Sequence, residues 1–256
     1  MTATNNDVKG GQVPLKNVAS FMTLTMRLIE LPMNLPRFGV FYGPAGWGKT
    51  EASIYAQNKT DAVRIEVRET FSQKKLLQDL LTELKMPAAK GSISDLAERV
   101  EKRLGDDPRR PLIIDEADTL LRKRGFLETV REIGDIAGNP VILIGEEMLP
   151  EKLSVHERFH SRVAEWVGAE PCDASDAAAL AACYCRGITV APDLLAEICS
   201  QSDGSARRIV TNLNRTMNIA RNKGIKTVDL AAWGSERFYT NKAPHARYVS
   251  APRRRA

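Results

Sequence analysis

The stretch Gly43-Pro44-Ala45-Gly46-Trp47-Gly48-Lys49-Thr50 decides how this chain is read. Its spacing, G-x-x-x-x-G-K-[ST], is that of a loop whose backbone N–H groups wrap around an anion. Glycines permit the turns such a loop needs, and a helix opening near Lys49 adds its positive end. Lys49 is expected to reach the β and γ phosphates of a nucleotide, and the Thr50 hydroxyl to ligate Mg²⁺. Just upstream, Phe38-Gly39-Val40-Phe41-Tyr42 is an apolar run bounded by prolines and glycines, which predicts a buried strand. The loop therefore lies between a strand and a helix, the context that its chemistry requires.

Outward from the loop, Leu112-Ile113-Ile114-Asp115-Glu116 is a second apolar strand, ending in two carboxylates. In a parallel sheet that end faces the ligand crevice. Asp115 is expected to hold the magnesium through water, and Glu116 to orient and deprotonate the attacking water. Further strands are predicted at 62–67, at 140–144 and around Trp166-Val167. Helices are predicted at 15–31, from Lys49, at 72–85 and at 94–104, with Ser92 or Ser94 capping the last. Strands apolar on both faces and alternating with helices argue for an α/β fold with a helix-flanked parallel sheet. After Pro171 the strands are expected to cease. Helices at 173–186, 192–200 and 205–223, and a short one at 228–233, form a small all-helical domain. The expected division is a disordered arm over 1–14, an α/β domain over 15–168, the helical domain over 169–232 and a basic tail over 233–256.

The 256 residues are 43% hydrophobic and 27% charged, which fits a globular chain and excludes wholesale disorder. No apolar run has the ~18–20 residues of a membrane span, so no membrane partner is expected. The polar N-terminus shows no secretory signal. Cys172, Cys183, Cys185 and Cys199 form no C-x-x-C pair and read as reduced core or surface thiols. The net charge of +5 is uneven: from Arg207 onward twelve Lys/Arg face two acids, +10, which leaves −5 for the first 206 residues. A basic C-terminal part suggests a polyanion partner.

These motifs resemble those of the AAA+ ATPases over most of residues 15–232: an N-terminal helix, both Walker motifs and a helical lid. The resemblance implies ATP and Mg²⁺ as cofactors and ATP hydrolysis as the activity. It places Gly43, Pro44, Ala45, Gly46, Trp47, Gly48, Lys49, Thr50, Glu51, Asp115 and Arg207 at the nucleotide. Arg207 stands in Gly204-Ser205-Ala206-Arg207-Arg208, which looks like the sensor 2 motif, and Arg208 is expected to be free for another partner. Arg158 and Arg162, in Glu157-Arg158-Phe159-His160-Ser161-Arg162, both fit the arginine finger supplied to a neighbouring subunit, with Arg162 preferred. One position departs from the pattern. Where a polar sensor 1 residue is usual, Val141-Ile142-Leu143-Ile144-Gly145 leads into Glu146-Glu147, and an ionised carboxylate cannot donate to a γ-phosphate.

Within that group the layout is similar to the transposition ATPases, phage Mu B protein and its TniB and TnsC relatives. This implies a cytoplasmic protein that assembles on double-stranded DNA with ATP, selects a target site and recruits or stimulates a transposase. Arg68, Lys74, Lys75, Arg122, Lys123 and Arg124 are the expected contacts to DNA phosphates, and Arg253–Arg255 could add to them. The alternative is a helicase loader or remodeller acting on a protein client.

Overall fold

The computed structural model describes residue 13 and residues 15–87 and 90–241. Most of the arm expected over 1–14, and the Arg253–Arg255 tail, lie outside the described residues. The chain runs through α1 (Lys16–Glu30), β1 (Phe38–Tyr42), α2 (Lys49–Thr60), β2 (Val63–Glu66), α3 (Gln73–Glu83), α4 (Ile93–Gly105), β3 (Leu112–Asp115), α5 (Asp118–Leu121) and α6 (Phe126–Ala137). It continues through β4 (Val141–Gly145), α7 (Leu149–Ser154), α8 (Glu157–His160), β5 (Val163–Gly168), α9 (Ala174–Tyr184), β6 (Thr189–Val190), α10 (Pro192–Gln201), α11 (Ala206–Lys223), β7 (Thr227–Val228) and α12 (Leu230–Trp233).

Five strands form one sheet in the order β2-β3-β4-β1-β5, every pair parallel. The strands are apolar on both faces because helices cover both. On one face Val40, Ile114 and Leu143 meet α3, α4 and α6; on the other Phe41, Ile113 and Ile144 meet α1 and α2. Helix α3 buries Leu76, Leu77, Leu80 and Leu81 completely, each worth about 1.5–3 kcal/mol of transfer free energy. Its start is fixed by Ser72, whose hydroxyl accepts the N–H of Lys75 at 3.1 Å. Ser92, not Ser94, caps α4 in a reciprocal box with Asp95.

The expectation that strands cease after Pro171 needs correction. Two two-residue strands, β6 and β7, pair in parallel between the C-terminal helices. At two residues each they carry no readable alternation. Leu180, Leu194, Ile198, Ile209 and Leu213 from these helices join one apolar cluster with Phe21 and Phe41 of the sheet region. Residues beyond α12 dock as well: Phe238 stacks on Trp233 at 4.6 Å, and the Tyr239 N–H donates to Asn212 Oδ1 at 2.7 Å.

Because all five strands are parallel, their C-terminal ends lie along a single edge of the sheet. Tyr42 is level with Gly145 on β4 and with Gly168 on β5, and Glu66 with Asp115. At the opposite edge Arg37, almost fully buried, donates to the carbonyls of Leu28, Ile29, Pro108 and Gly138 at 2.7–3.0 Å. It thereby satisfies carbonyls at the C-terminal ends of both α1 and α6.

Candidate nucleotide site

Residues 43–48 leave β1 at the edge where β3 and β4 also end. Gly43, Gly46 and Gly48 have φ of 156°, 84° and 83°, the last two in the left-handed region that other residues avoid. Gly46 is fixed a second time by its neighbours, since a Cβ there would lie 2.7 Å from Ser205 Oγ. Its carbonyl accepts the N–H of Arg207 at 3.2 Å and the Ser205 hydroxyl at 3.3 Å. The loop thus bears directly on the first turn of α11. On its other side, Asn17 of α1, buried, donates to the carbonyls of Trp47 at 2.7 Å and Glu170 at 2.8 Å.

The Lys49 ammonium donates to the carbonyls of Gly43 and Pro44 at 2.6 and 2.9 Å. Burial holds its pKa below the usual lysine range, while the carboxylates of Asp115, Glu116, Glu146 and Asp118 pull it back up. Thr50, exposed in the first turn of α2, keeps its hydroxyl free of side-chain partners among the described residues.

Asp115 ends β3 and is buried. One carboxylate oxygen accepts its neighbour's N–H, that of Glu116, at 3.0 Å. The other is 2.6 Å from the guanidinium of Arg64 on β2. Glu116 is exposed and has φ of 57°, a strained value for a non-glycine residue. Burial, and then the charge of Asp115, push its pKa above the ordinary glutamate value, against the pull of Lys49.

Sequence reasoning missed Asp118 as part of the site. This buried residue accepts the backbone N–H of Glu146 at 2.7 Å and pairs with Lys152 at 2.6 Å. Its Oδ2 lies where a side chain at Gly145 would begin, so glycine is required at the exit of β4. Glu146 itself is exposed, with its backbone held by Asp118, and its charge raises the pKa of both Lys49 and Glu116.

The two arginines proposed for a neighbouring subunit are in different situations. Arg162 Nε lies 2.8 and 2.6 Å from the two carboxylate oxygens of Asp135, and its Nη1 donates to the Arg158 carbonyl at 2.6 Å. The Arg158 side chain is exposed with no partner among the described residues. In the sensor-like segment Arg207 is exposed beside Gly46. Arg208, expected to be free, pairs instead with Asp203 at 2.7 Å.

The two basic segments come together in space. Arg122 pairs with Glu69 at 2.6 Å, and the Lys123 ammonium donates to the carbonyls of Glu69 and Phe71. Lys75 pairs with Asp79 at 2.5 Å. Arg68, Lys74 and Arg124 are exposed without side-chain partners among the described residues. Of the cysteines, Cys172 and Cys185 are buried, and burial pushes their thiols up to about 12 and about 11.

A hydroxyl at the start of α2 and a carboxylate at the end of β3 form a hard-oxygen donor set suited to Mg²⁺ beside an anion-binding loop. The open backbone at Gly48, where an added Cβ would meet nothing within 4 Å, leaves room for phosphate. Among the described residues no helix is long and apolar enough to cross a membrane.

Comparison with known proteins agrees with this geometry. Residues 33–153 match the AAA domain family. The fold is similar to the Orc1 protein of Aeropyrum pernix, solved in complex with DNA (TM-score 0.61, 20% identity, 88% of this chain and 66% of that one). It is similar also to Cdc6p of Pyrobaculum aerophilum (0.65, 14%, 88% and 66%) and to the RuvB Holliday junction branch migration motor of Thermotoga maritima (0.59, 14%, 86% and 67%). The chain thus spans about two thirds of the length of each. No curated protein matches it. The parallel sheet and the phosphate loop thus have the fold of these P-loop structures, and residues 33–153 resemble the AAA domain family.

Proposed function

We propose that this protein hydrolyses ATP at the sheet edge between Lys49, Thr50, Asp115 and Glu116, and uses the cycle to assemble on double-stranded DNA and direct a transposase to its target. The observation that carries the ATPase reading is the glycine-turned loop that sets Lys49 at the start of α2, at the same end of the sheet as the buried Asp115 that closes β3. In this reading the loop N–H groups and Lys49 bind the phosphates, and Arg207 reaches them from the C-terminal helices. Glu116 takes the proton of the attacking water, and Thr50, with Asp115 through water, would hold Mg²⁺. Mg²⁺, when bound, would neutralise charge on the phosphate oxygens. Arg158, projecting freely at the sheet's far edge, is the better candidate for completing a neighbour's site, because Arg162 is engaged by Asp135.

DNA binding is supported by the exposed cations Arg68, Lys74 and Arg124, unpaired among the described residues, which make a sequence-independent phosphate surface. The Orc1 relative, solved with DNA, shares this fold. The transposition role rests on motif layout. Negative-stain imaging with linear duplex DNA, with and without ATP, tests the reading. Filaments that coat DNA only with nucleotide support it. Rings or monomers indifferent to DNA would favour a protein client instead.

A further inference from the structure

Strand β2 lies at the edge of the sheet, and alternate residues on it face opposite layers. Val63 and Ile65 join the apolar cluster under α3 and α4. Arg64 faces the other layer, where the neighbouring Ile113 packs in the apolar cluster beneath α1 and α2. An arginine stands where the layer calls for an apolar side chain, and its head is held at two points. Arg64 Nε donates to Ser53 Oγ at 2.7 Å, and Nη2 donates to Asp115 Oδ2 at 2.6 Å. Ser53 is completely buried and in turn donates to the Thr50 carbonyl at 2.7 Å. The Arg64 and Asp115 side chains are only 13% and 4% exposed. A guanidinium is thus locked onto the carboxylate assigned to magnesium, and bonded through Ser53 to the turn that carries the magnesium-ligating hydroxyl.

We propose that Arg64 is a resident countercation of the nucleotide site, which competes electrostatically with Mg²⁺ for Asp115 and sets a weak metal requirement for nucleotide binding. The proposal rests on the reading of this edge as a nucleotide–Mg²⁺ site. Two effects oppose one another. As a donor Arg64 orients Asp115, which favours metal binding. As a fixed charge near a divalent cation it repels the metal, and in a partly desolvated site the charge outweighs the orientation. Asp115 keeps the Glu116 N–H as a second orienting donor, so removal of Arg64's charge leaves the carboxylate aimed.

The test compares the affinity of fluorescently labelled ADP in Mg²⁺ with that in EDTA, for wild type, Arg64→Gln and Arg64→Lys. Gln keeps a donor near Asp115 and removes the charge, whereas Lys keeps the charge. The expected result is that Arg64→Gln raises the Mg²⁺/EDTA affinity ratio about tenfold, while Arg64→Lys stays within about threefold of wild type, a contrast set by one unit of charge. An unchanged or lowered ratio in Arg64→Gln overturns the proposal and leaves the site reading intact. Failure of wild type to bind labelled ADP in either buffer overturns both. Should Arg64→Gln not fold, Arg64→Met fills the same space without a polar group, and the same outcomes apply to it.

Discussion

Asp118 and Glu146 are joined by a 2.7 Å hydrogen bond from the backbone N–H of Glu146 to the Asp118 carboxylate. It ties the exit of β4 to the turn that follows β3. Lys152 balances the charge from α7. Asp118→Ala is expected to leave the N–H of Glu146 unpaired and the Lys152 ammonium without a counterion, freeing the turn beside Glu116. Nucleotide affinity should change by no more than about threefold, and turnover should fall by at least about tenfold, the scale of one charge-assisted hydrogen bond. Steady-state kinetics beside an ADP-binding titration separates the two effects, and equal losses in both would refute the positioning role.

Arg158 and Arg162 are expected to separate cleanly. Arg158→Ala should preserve nucleotide binding and stability while lowering DNA-stimulated turnover by ~10³-fold, in the range seen when a trans-acting arginine is lost. Arg162→Ala removes one of the two cations that Asp135 pairs with, Arg131 being the other, and is expected to lower the melting temperature. Mixing Arg158→Ala with Lys49→Ala subunits should restore part of the activity, because each supplies what the other lacks. Wild-type turnover in Arg158→Ala would show that no neighbour's site depends on it.

Arg68, Lys74 and Arg124 are predicted to act additively and without sequence preference. Each replacement by Ala should reduce the slope of log K against log salt for duplex DNA by about 0.9 for every phosphate it leaves unneutralised. Lys123, whose ammonium is committed to the Glu69 and Phe71 carbonyls, should affect the fold more than the slope. Fluorescence anisotropy across salt concentrations measures both, and an unchanged slope in the triple variant would remove this surface from the DNA path.

Arg37→Ala should destabilise the protein by on the order of 3 kcal/mol or more, because it strands several buried carbonyls at once. Lysine offers no planar fork and should recover only part of that loss. Chemical denaturation of both variants measures the difference, and a loss below about 1 kcal/mol for alanine would mean that the helix ends find other partners.

The raised pKa of Glu116 fixes the sign of two pH effects. As general base it must be ionised, so turnover is expected to fall on acidification with an inflection above the ordinary glutamate value of about 4.3. For stability, a raised folded-state pKa means that the protonated form is favoured by folding. That contribution is present below the unfolded pKa and lost as pH rises through the folded one. Glu116→Gln should therefore melt higher than wild type at neutral pH, with the curves converging in acid. Parallel melting curves at every pH would contradict this.

The strands and the phosphate loop were legible because a central parallel strand is apolar on both faces and because glycine spacing is a strong local signal. Helices α5, α7 and α8, of four to six residues, are too short to show a period. Helix α6 did carry one, in Leu127, Val130, Ile133 and Ala137, and that spacing was the signal that could have found it. The contacts that finish the site were not legible. Arg64 reaches Asp115 only because β2 and β3, separated along the chain by α3 and α4, pair side by side in the sheet. Asp135 claims Arg162 across 27 residues, which hides from any local reading that one of two similar arginines is already spent.

The grip of α11 on the phosphate loop has a genetic consequence. It runs through the Gly46 carbonyl, the Arg207 N–H and one small hydroxyl. Drift at position 207 would alter what the arginine head does yet leave the docking intact, whereas any side chain at 46 would collide with Ser205. In a saturation library, position 46 should tolerate nothing, while position 207 separates alleles that fold and dock from those that also turn over.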